Sequence, residues 1–206
     1  MAGRAEHWEA VYVTKAADTV SWYQPSPKPS LDALARLKPA ESTGLIDVGG
    51  GASNLVDTLL ERGWSDLTVL DIAQPALDVA RARLGGRADD VQWIAADITT
   101  WRPQRTYRIW HDRAVFHFLT EAADRRGYRA ALEQGLAAGG HLIMATFAVG
   151  GPKQCSGLPI VQYDADSLSS ELGEAFSMLD SWREEHVTPG GGVQAFNWCL
   201  FRKASR

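Results

Sequence analysis

Three aspartates lie at or near the ends of three successive apolar runs, at a spacing that suits a nucleoside ligand. Asp47 lies in the first run and leads into a turn with Gly49, Gly50 and Gly51. Asp71 follows Gly51 by 20 positions, and Asp97 closes the third run. An acid about 20 residues after a glycine turn usually binds ribose hydroxyls. We therefore predict that Asp71 binds a ribose and that Asp97 accepts a hydrogen bond from an adenine amino group.

Residues beside these acids complete the predicted nucleoside site. Ile72 and Ile98 each follow an acid and would add backbone N–H groups and apolar contact. Glycines let the backbone approach a ligand, and Ser53 is predicted to cap the next helix. A tight turn alone would also favour glycine. The third glycine of a dinucleotide loop is absent, because Asn54 stands there. A cofactor without pyrophosphate is therefore favoured over NAD.

Alternating strands and helices must bring these residues together. The strands are predicted at residues 45–48, 67–72, 91–96, 107–111 and 141–147. Pro75 is predicted to open a helix, and Tyr128, Leu132 and Leu136 to share a helix face that ends at Gly139 and Gly140. This rhythm predicts a parallel sheet with helices on both faces, whose ligand lies at the carboxyl ends of the strands.

The two ends of the chain break the rhythm. Residues 176–187 and 193–202 are separated by a glycine-rich turn and must pair as an antiparallel hairpin. The predicted fold class is α/β, a Rossmann-like three-layer sandwich with a mostly parallel seven-stranded sheet ending in that hairpin. Residues 1–40 are interpreted as a helical lid segment with a proline-rich bend at Pro25–Pro29, and residues 41–206 as the main domain. A helix packed on the sheet edge is the alternative for the lid.

These motifs resemble those of the class I S-adenosylmethionine-dependent methyltransferases, specifically the bacterial type 11 and type 12 group. His7–Tyr12, Trp110–Arg113 and Gly139–Leu142 add to the likeness, which covers roughly residues 5–202. A more distant likeness is to eukaryotic lysine methyltransferases that act on translation elongation factors. The resemblance implies S-adenosylmethionine as cofactor, with Asp47 near its methionine moiety. Ala52 and Ser53 depart from relatives that carry another glycine there.

Candidate catalytic residues follow the fourth strand. The sulfonium methyl is already electrophilic, so the protein must align an acceptor and remove its proton. His111 or His117 could be the general base, or could only shape the pocket or contact the cofactor. Arg113 could neutralise the methionine carboxylate or an anionic substrate, or form an exposed ion pair.

A substrate pocket is predicted from aromatic and loop residues on either side of the sheet. Its expected members are Trp22, Tyr23, His117, Phe147, Cys155 and Tyr163, with His186 and Gln194 as further candidates. The expected function is methyl transfer to N, O or S of a small molecule. The alternatives are methylation of a protein lysine or histidine, cofactor binding without turnover, and nicotinamide-dependent oxidoreduction.

Composition limits the partners. The net charge is −4, and no run of Lys and Arg exceeds two residues. With no Asn/Asp-Pro-Pro-Tyr motif after strand four, this argues against nucleic-acid substrates. Cys155 and Cys199 lack metal-ligand spacing, so no zinc site is expected. The polar stretch 1–15 and the lack of a long apolar run predict a cytoplasmic protein without a membrane anchor.

Overall fold

A central sheet organises the protein, and a computed structural model describes its residues 2–205. The helices are α1 (Ala2–Thr14), α2 (Lys28–Leu37), α3 (Leu55–Glu61), α4 (Gln74–Leu84), α5 (Ala122–Gly135) and α6 (Ala165–Leu172). The strands are β1 (Leu45–Val48), β2 (Leu67–Asp71), β3 (Val91–Ala95), β4 (Tyr107–Arg113), β5 (Leu136–Phe147), β6 (Gln154–Cys155), β7 (Leu158–Pro159), β8 (Phe176–Val187) and β9 (Val193–Lys203). Short 3₁₀ turns cover Gly85–Asp90 and Phe116–Phe118.

The main sheet has seven strands in the order β3-β2-β1-β4-β5-β9-β8. The first five strands in that order run parallel, while β9 pairs antiparallel with both β5 and β8. The predicted fold class is confirmed. The chain leaves β1 toward β2 on one side and later returns to β4 on the other. A crevice opens at this switch point, at the carboxyl ends of β1 and β4.

Apolar side chains cover both faces of the sheet. On one face, Leu34 of α2 and Leu59 of α3 pack in a cluster with Leu45 of β1. On the other, Leu132 of α5 packs in a cluster with Ile46. Neighbouring strand residues point to opposite faces, so Leu45 and Ile46 are both fully buried. Each such side chain contributes roughly 1.5–3 kcal/mol on burial.

Three local predictions were wrong. The proline-rich bend runs into α2, where Pro29 lies in the first turn because its missing N–H is not needed there. Helix α5 ends at Gly135. The buried Leu136 is already the first residue of β5, where it pairs with Tyr107 of β4. Asn54, not Ser53, precedes α3, although the Ser53 hydroxyl accepts a hydrogen bond from the Leu55 N–H at 3.1 Å.

The N-terminal segment divides into two parts. Helix α1 contributes residues to the crevice, whereas Leu31, Ala33 and Leu34 of α2 are buried in the core. A lid over the crevice therefore stays a prediction for α1 alone. Within residues 2–205, no helix is both long enough and apolar enough to cross a membrane.

Candidate active site

Two adjoining cavities open at the carboxyl ends of β1 and β4. The larger has an empty volume of about 800 Å³ including its mouth, and the smaller about 610 Å³. Tyr12, Trp22, Gly49 and Arg113 line both, so the cavities meet at these residues. The larger cavity also has Asp71, Ile72, Asp97 and Ile98 in its wall, and the smaller has Asp47, Gly50, Ser53, His111 and Tyr23. Most of the predicted cofactor residues thus come together.

Asp71 is a buried carboxyl at the end of β2. Its Oδ1 accepts a hydrogen bond from the Ala73 N–H at 2.9 Å. Burial raises its pKa to about 7, although hydrogen bonds from the backbone at Ala73, Ile72 and Gly51 oppose this. Backbone donors thus hold the group in place, and no cationic side chain within residues 2–205 forms an ion pair with it. A pair of hydroxyl donors would stabilise its charged form.

The glycine turn packs against these acids. Gly51 has a φ of +30°, and a Cβ there would lie 2.6 Å from Asp71 Oδ2. Gly49 has a φ of +70°, and its Cβ would lie 2.0 Å from the Val115 side chain. Both positions exclude larger residues by conformation and by space. Gly49 and Gly50 line the cavities, while the Gly51 backbone supports Asp71.

Asp97 has one oxygen committed within the protein. Its Oδ1 accepts hydrogen bonds from the Thr99 backbone N–H at 2.9 Å and from the Thr99 hydroxyl at 2.7 Å. Its Oδ2 lies 3.5 Å from Arg4 Nη1, and Arg4 also pairs with Asp124. Among the described residues Oδ2 accepts no hydrogen bond and has only this longer ion pair, so it retains lone pairs for a ligand. Arg4 brings α1 to this end of the larger cavity, a contribution that the sequence analysis missed.

Asp47 forms one end of a buried hydrogen-bond chain. Its Oδ1 lies 2.6 Å from His111 Nδ1, and His111 Nε2 lies 3.0 Å from the Ser30 hydroxyl. Both ring nitrogens of His111 are therefore engaged, which leaves neither free to act as a general base. Ser30, on α2, was not predicted, because no local motif links it to Asp47.

Arg113 lies where the cavities meet. Its Nη1 donates to the Trp22 carbonyl oxygen at 3.0 Å, and its guanidinium carbon lies 4.9 Å from the centre of the Phe196 ring. Its buried Nε and Nη2 have no acceptor among the described residues. Burial lowers its pKa, with Glu184 and Asp47 opposing the shift. Unpaired buried donors are costly, so an anion in the cavity would be favoured here.

Two predicted pocket residues lie outside both cavity linings. His117 is fully buried, and its Nδ1 accepts a hydrogen bond from the Phe147 N–H at 3.1 Å. Burial and the nearby Arg113 lower its pKa to about 3, so the ring is neutral and its Nδ1 is occupied. Tyr163 is also buried, and burial raises its pKa to about 12. The structure therefore does not bring either side chain to the site.

Aromatic residues form the wall of the larger cavity. Trp8 packs edge-on against Trp22 and Phe118, with ring centres 5.6 and 5.0 Å apart. Phe147 and Cys155 line the same space, as the sequence analysis expected. Burial raises the pKa of Cys155 to about 11, so its thiol is neutral near pH 7. Tyr12, which the sequence analysis did not assign to the pocket, has its pKa raised by burial as well.

Other polar side chains lie outside the cavity walls and hold the surrounding elements in place. His186 Nε2 lies 2.8 Å from the Ser21 carbonyl oxygen, and its pKa is lowered chiefly by burial. Asp112 accepts hydrogen bonds from the Tyr128 hydroxyl at 2.6 Å and the Val115 N–H at 2.9 Å. This carboxyl anchors the turn after β4 to α5. Neither His186 nor Gln194 lines the two cavities.

Comparison with known proteins identifies the domain. Residues 45–140 match the family model described as a methyltransferase domain. This stretch of the chain is therefore similar to a methyltransferase domain. A similar curated protein is the trans-aconitate 2-methyltransferase of Rhizobium rhizogenes, with 30% identity over 61% of this chain and 52% of its own length. The chain spans about half the length of the curated relatives it matches.

Solved structures of other methyltransferases share the fold. A protein studied for the conversion of a disulfide bond into a thioacetal group in echinomycin biosynthesis superposes with a TM-score of 0.78 and 17% identity, over 98% of this chain and 92% of that protein. The 1,6-didemethyltoxoflavin-N1-methyltransferase of Burkholderia thailandensis gives a TM-score of 0.70 and 19% identity, over 98% of this chain and 85% of its own. At these identities, the likeness shows a common methyltransferase fold.

S-adenosylmethionine is the cofactor of this family, and the site has the groups that it requires. The buried Asp71 offers a carboxylate to ribose hydroxyls, and Asp97 Oδ2 can accept from an amino group. Ile72, Ile98 and Leu119 provide apolar contact for a ring. Asp47 in the smaller cavity is an acid suited to an ammonium group.

Proposed function

We propose that this protein transfers a methyl group from S-adenosylmethionine to a small acceptor that carries a carboxylate. The observation that carries this proposal is Arg113, a buried guanidinium in the wall of both cavities with two unpaired donors. Nε and Nη2 together form one edge of the guanidinium. That edge matches a carboxylate through two parallel hydrogen bonds.

Each of the two cavities would bind a different part of the cofactor. Asp71 and Asp97 would hold the adenosine part in the larger cavity, and Asp47 the amino-acid part in the smaller one. When bound, S-adenosylmethionine supplies an electrophilic methyl group. Arg113 and Trp22, at the junction, would orient the acceptor so that its nucleophilic atom is in line for displacement.

Apart from the acids assigned to the cofactor, the described cavity walls offer no available base, which supports an acceptor that is already ionised. Both nitrogens of His111 are hydrogen-bonded, and His117 lies outside the cavities. The thiol of Cys155 is neutral, and the phenol of Tyr12 has a raised pKa. A carboxylate oxygen needs no deprotonation near pH 7, since an ordinary carboxylic acid has a pKa of about 4.

The covering of the larger cavity supports a small acceptor over a protein side chain. Trp8 and Tyr12 of α1 lie beside Trp22, and together they wall the space above the sheet. These aromatic rings reduce the access of water to the reacting groups. The curated relatives are named for trans-aconitate, which is itself a carboxylate, and this agrees with the proposal.

Labelled S-adenosylmethionine tests the acceptor class. The protein is incubated with it and with a cell extract separated into metabolites and proteins. We expect label in acidic small molecules. Label in protein alone would support the lysine or histidine alternative and refute the small-molecule proposal.

Arginine variants test the carboxylate contact. Arg113→Met should raise the acceptor KM about tenfold or more, because charged hydrogen bonds contribute roughly 1.5–3 kcal/mol each. Arg113→Lys should recover only part of this, since a lysine cannot offer the paired donors. Arg126→Met, at an exposed position of α5, is the matched control. An unchanged KM in Arg113→Met would refute the contact.

A further inference from the structure

We propose that Ser30 is a positioning residue for the amino-acid part of the cofactor. It would act through His111, which holds the Asp47 carboxylate toward the smaller cavity. This inference rests on the cofactor assignment within the proposed function, and it is independent of the acceptor. No local motif points to Ser30, which lies on α2 and 17 residues before Asp47.

The three side chains form a continuous chain across three elements. Asp47 on β1 and His111 on β4 are register partners in the sheet, so their side chains lie side by side. Their contact is 2.6 Å, and the Ser30 hydroxyl closes the chain at 3.0 Å from the other ring nitrogen. Ser30, Asp47 and His111 are 2%, 4% and 2% exposed. Solvent therefore competes little for these hydrogen bonds.

The Asp47 carboxylate, the acceptor at one end of the chain, fixes the direction of each hydrogen bond. A carboxylate can only accept, so His111 Nδ1 carries the proton that it donates to Asp47. In the neutral ring, Nε2 is then an acceptor, and the Ser30 hydroxyl donates to it. Without that hydroxyl, Nε2 would be left buried and unpaired. Asp47 thus selects the ring tautomer, and Ser30 holds the ring in the orientation that fixes Asp47.

Fixing Asp47 matters because of where it lies. Among the described residues, it is the only acid in the lining of the smaller cavity. A Cβ on Gly50 would lie 2.5 Å from Asp47 Oδ2, so that oxygen borders the glycine turn. A cationic ammonium group entering the cavity needs an acid held in place beforehand, since ordering it during binding would reduce affinity.

The order serine, histidine, aspartate also occurs in hydrolases that use the serine as a nucleophile. In such enzymes, the hydroxyl must reach a substrate carbonyl. Ser30 borders the smaller cavity, but it is 2% exposed and its hydroxyl is engaged with His111, which favours the positioning role. Labelling of Ser30 by a fluorophosphonate probe would overturn our inference.

Two nucleoside ligands separate positioning from general damage. S-adenosylhomocysteine carries the ammonium group, whereas 5′-methylthioadenosine lacks the whole amino-acid part. In Ser30→Ala, we expect the Kd of S-adenosylhomocysteine to rise about fivefold to tenfold, the usual scale for one buried hydrogen bond. The Kd of 5′-methylthioadenosine should stay the same. Equal weakening of both ligands, or of neither, would overturn the inference.

Further variants show whether the effect of Ser30→Ala comes from misfolding. Ser30→Thr keeps the hydroxyl and should restore the affinity for S-adenosylhomocysteine, while the exposed Ser26→Ala should change neither ligand. Nitrogen NMR of His111 should show the proton on Nδ1 in the unaltered protein, and in Ser30→Ala a shifted Nε2 signal because that nitrogen has lost its donor. A proton on Nε2 in the unaltered protein would contradict the chain of donors. Failure of the unaltered protein to bind S-adenosylhomocysteine would instead refute the proposed cofactor.

Discussion

Asp71 should make cofactor binding depend on pH in the neutral range. In the free protein, burial holds its pKa at about 7, against an ordinary value of 3.8. Only the charged form can accept hydrogen bonds from both ribose hydroxyls, and such bonds lower the pKa of a carboxyl. The cofactor complex therefore prefers the deprotonated group. Binding must weaken as the pH falls through 7 and protonates the free protein.

The size of the effect follows from linkage. With a free pKa of about 7 and a much lower bound pKa, about nine tenths of the Asp71 groups are protonated at pH 6 and about one tenth at pH 8. The apparent Kd of S-adenosylhomocysteine should therefore rise about tenfold from pH 8 to pH 6, which is about 1.4 kcal/mol. Asp71→Ala should weaken binding by roughly 1–3 kcal/mol at pH 8, the usual cost of losing charged hydrogen bonds.

Calorimetric titration at pH 6, 7 and 8 measures both effects. Asp71→Asn keeps the size of the side chain but cannot ionise, so its Kd should be raised at pH 8 and nearly independent of pH. The exposed Asp78→Asn on α4 is the matched control and should behave like the unaltered protein. A Kd that is equal at pH 6 and pH 8 would refute the reasoning. So would a pH slope that survives in Asp71→Asn.

The same pKa predicts how stability changes with pH. A carboxyl whose folded pKa lies above its unfolded value destabilises the fold once the unfolded group ionises. The penalty is absent below pH 3.8, grows up to about pH 7 and is complete above it, at about 4 kcal/mol at most. Asp112, with a pKa of about 6, acts in the same direction. The rise in Tm caused by S-adenosylhomocysteine should therefore be greater at pH 8 than at pH 6.

Three further substitutions test other parts of the site. Tyr128→Phe should destabilise the fold by about 3 kcal/mol, measured by urea unfolding, because Asp112 and Trp110 lose a buried partner. Ala114→Gly should raise the Tm, since a φ of 74° costs alanine about 1 kcal/mol; an unchanged Tm would contradict this. Asp97→Asn should weaken the binding of S-adenosylhomocysteine by about 1 kcal/mol, measured by titration; an unchanged Kd would contradict its contact with the cofactor.

Local patterns were sufficient to predict the sheet and the nucleoside end of the site. Apolar runs of four to seven residues mark buried strands, and Asp71 and Asp97 follow two of them directly. In a parallel sheet, such positions share one edge, so spacing along the chain predicts proximity in space. The hairpin of β8 and β9 could likewise be predicted from neighbouring residues alone. The prediction for Leu136 failed because a helix face and the start of a strand have the same apolar spacing at that point.

The sequence by itself determined the fold class and the two acids that line the larger cavity, since both depend on patterns within one strand and its following turn. Only the tertiary structure decided what His111, His117 and Arg113 can do. His111 is hydrogen-bonded by Ser30 from a distant helix, and His117 is buried and neutral outside the cavities. Arg113 lies where the cavities meet, and two of its nitrogens have no acceptor among the described residues. The protonation and partners of a side chain depend on its burial and on residues far away in the chain, which no local spacing encodes.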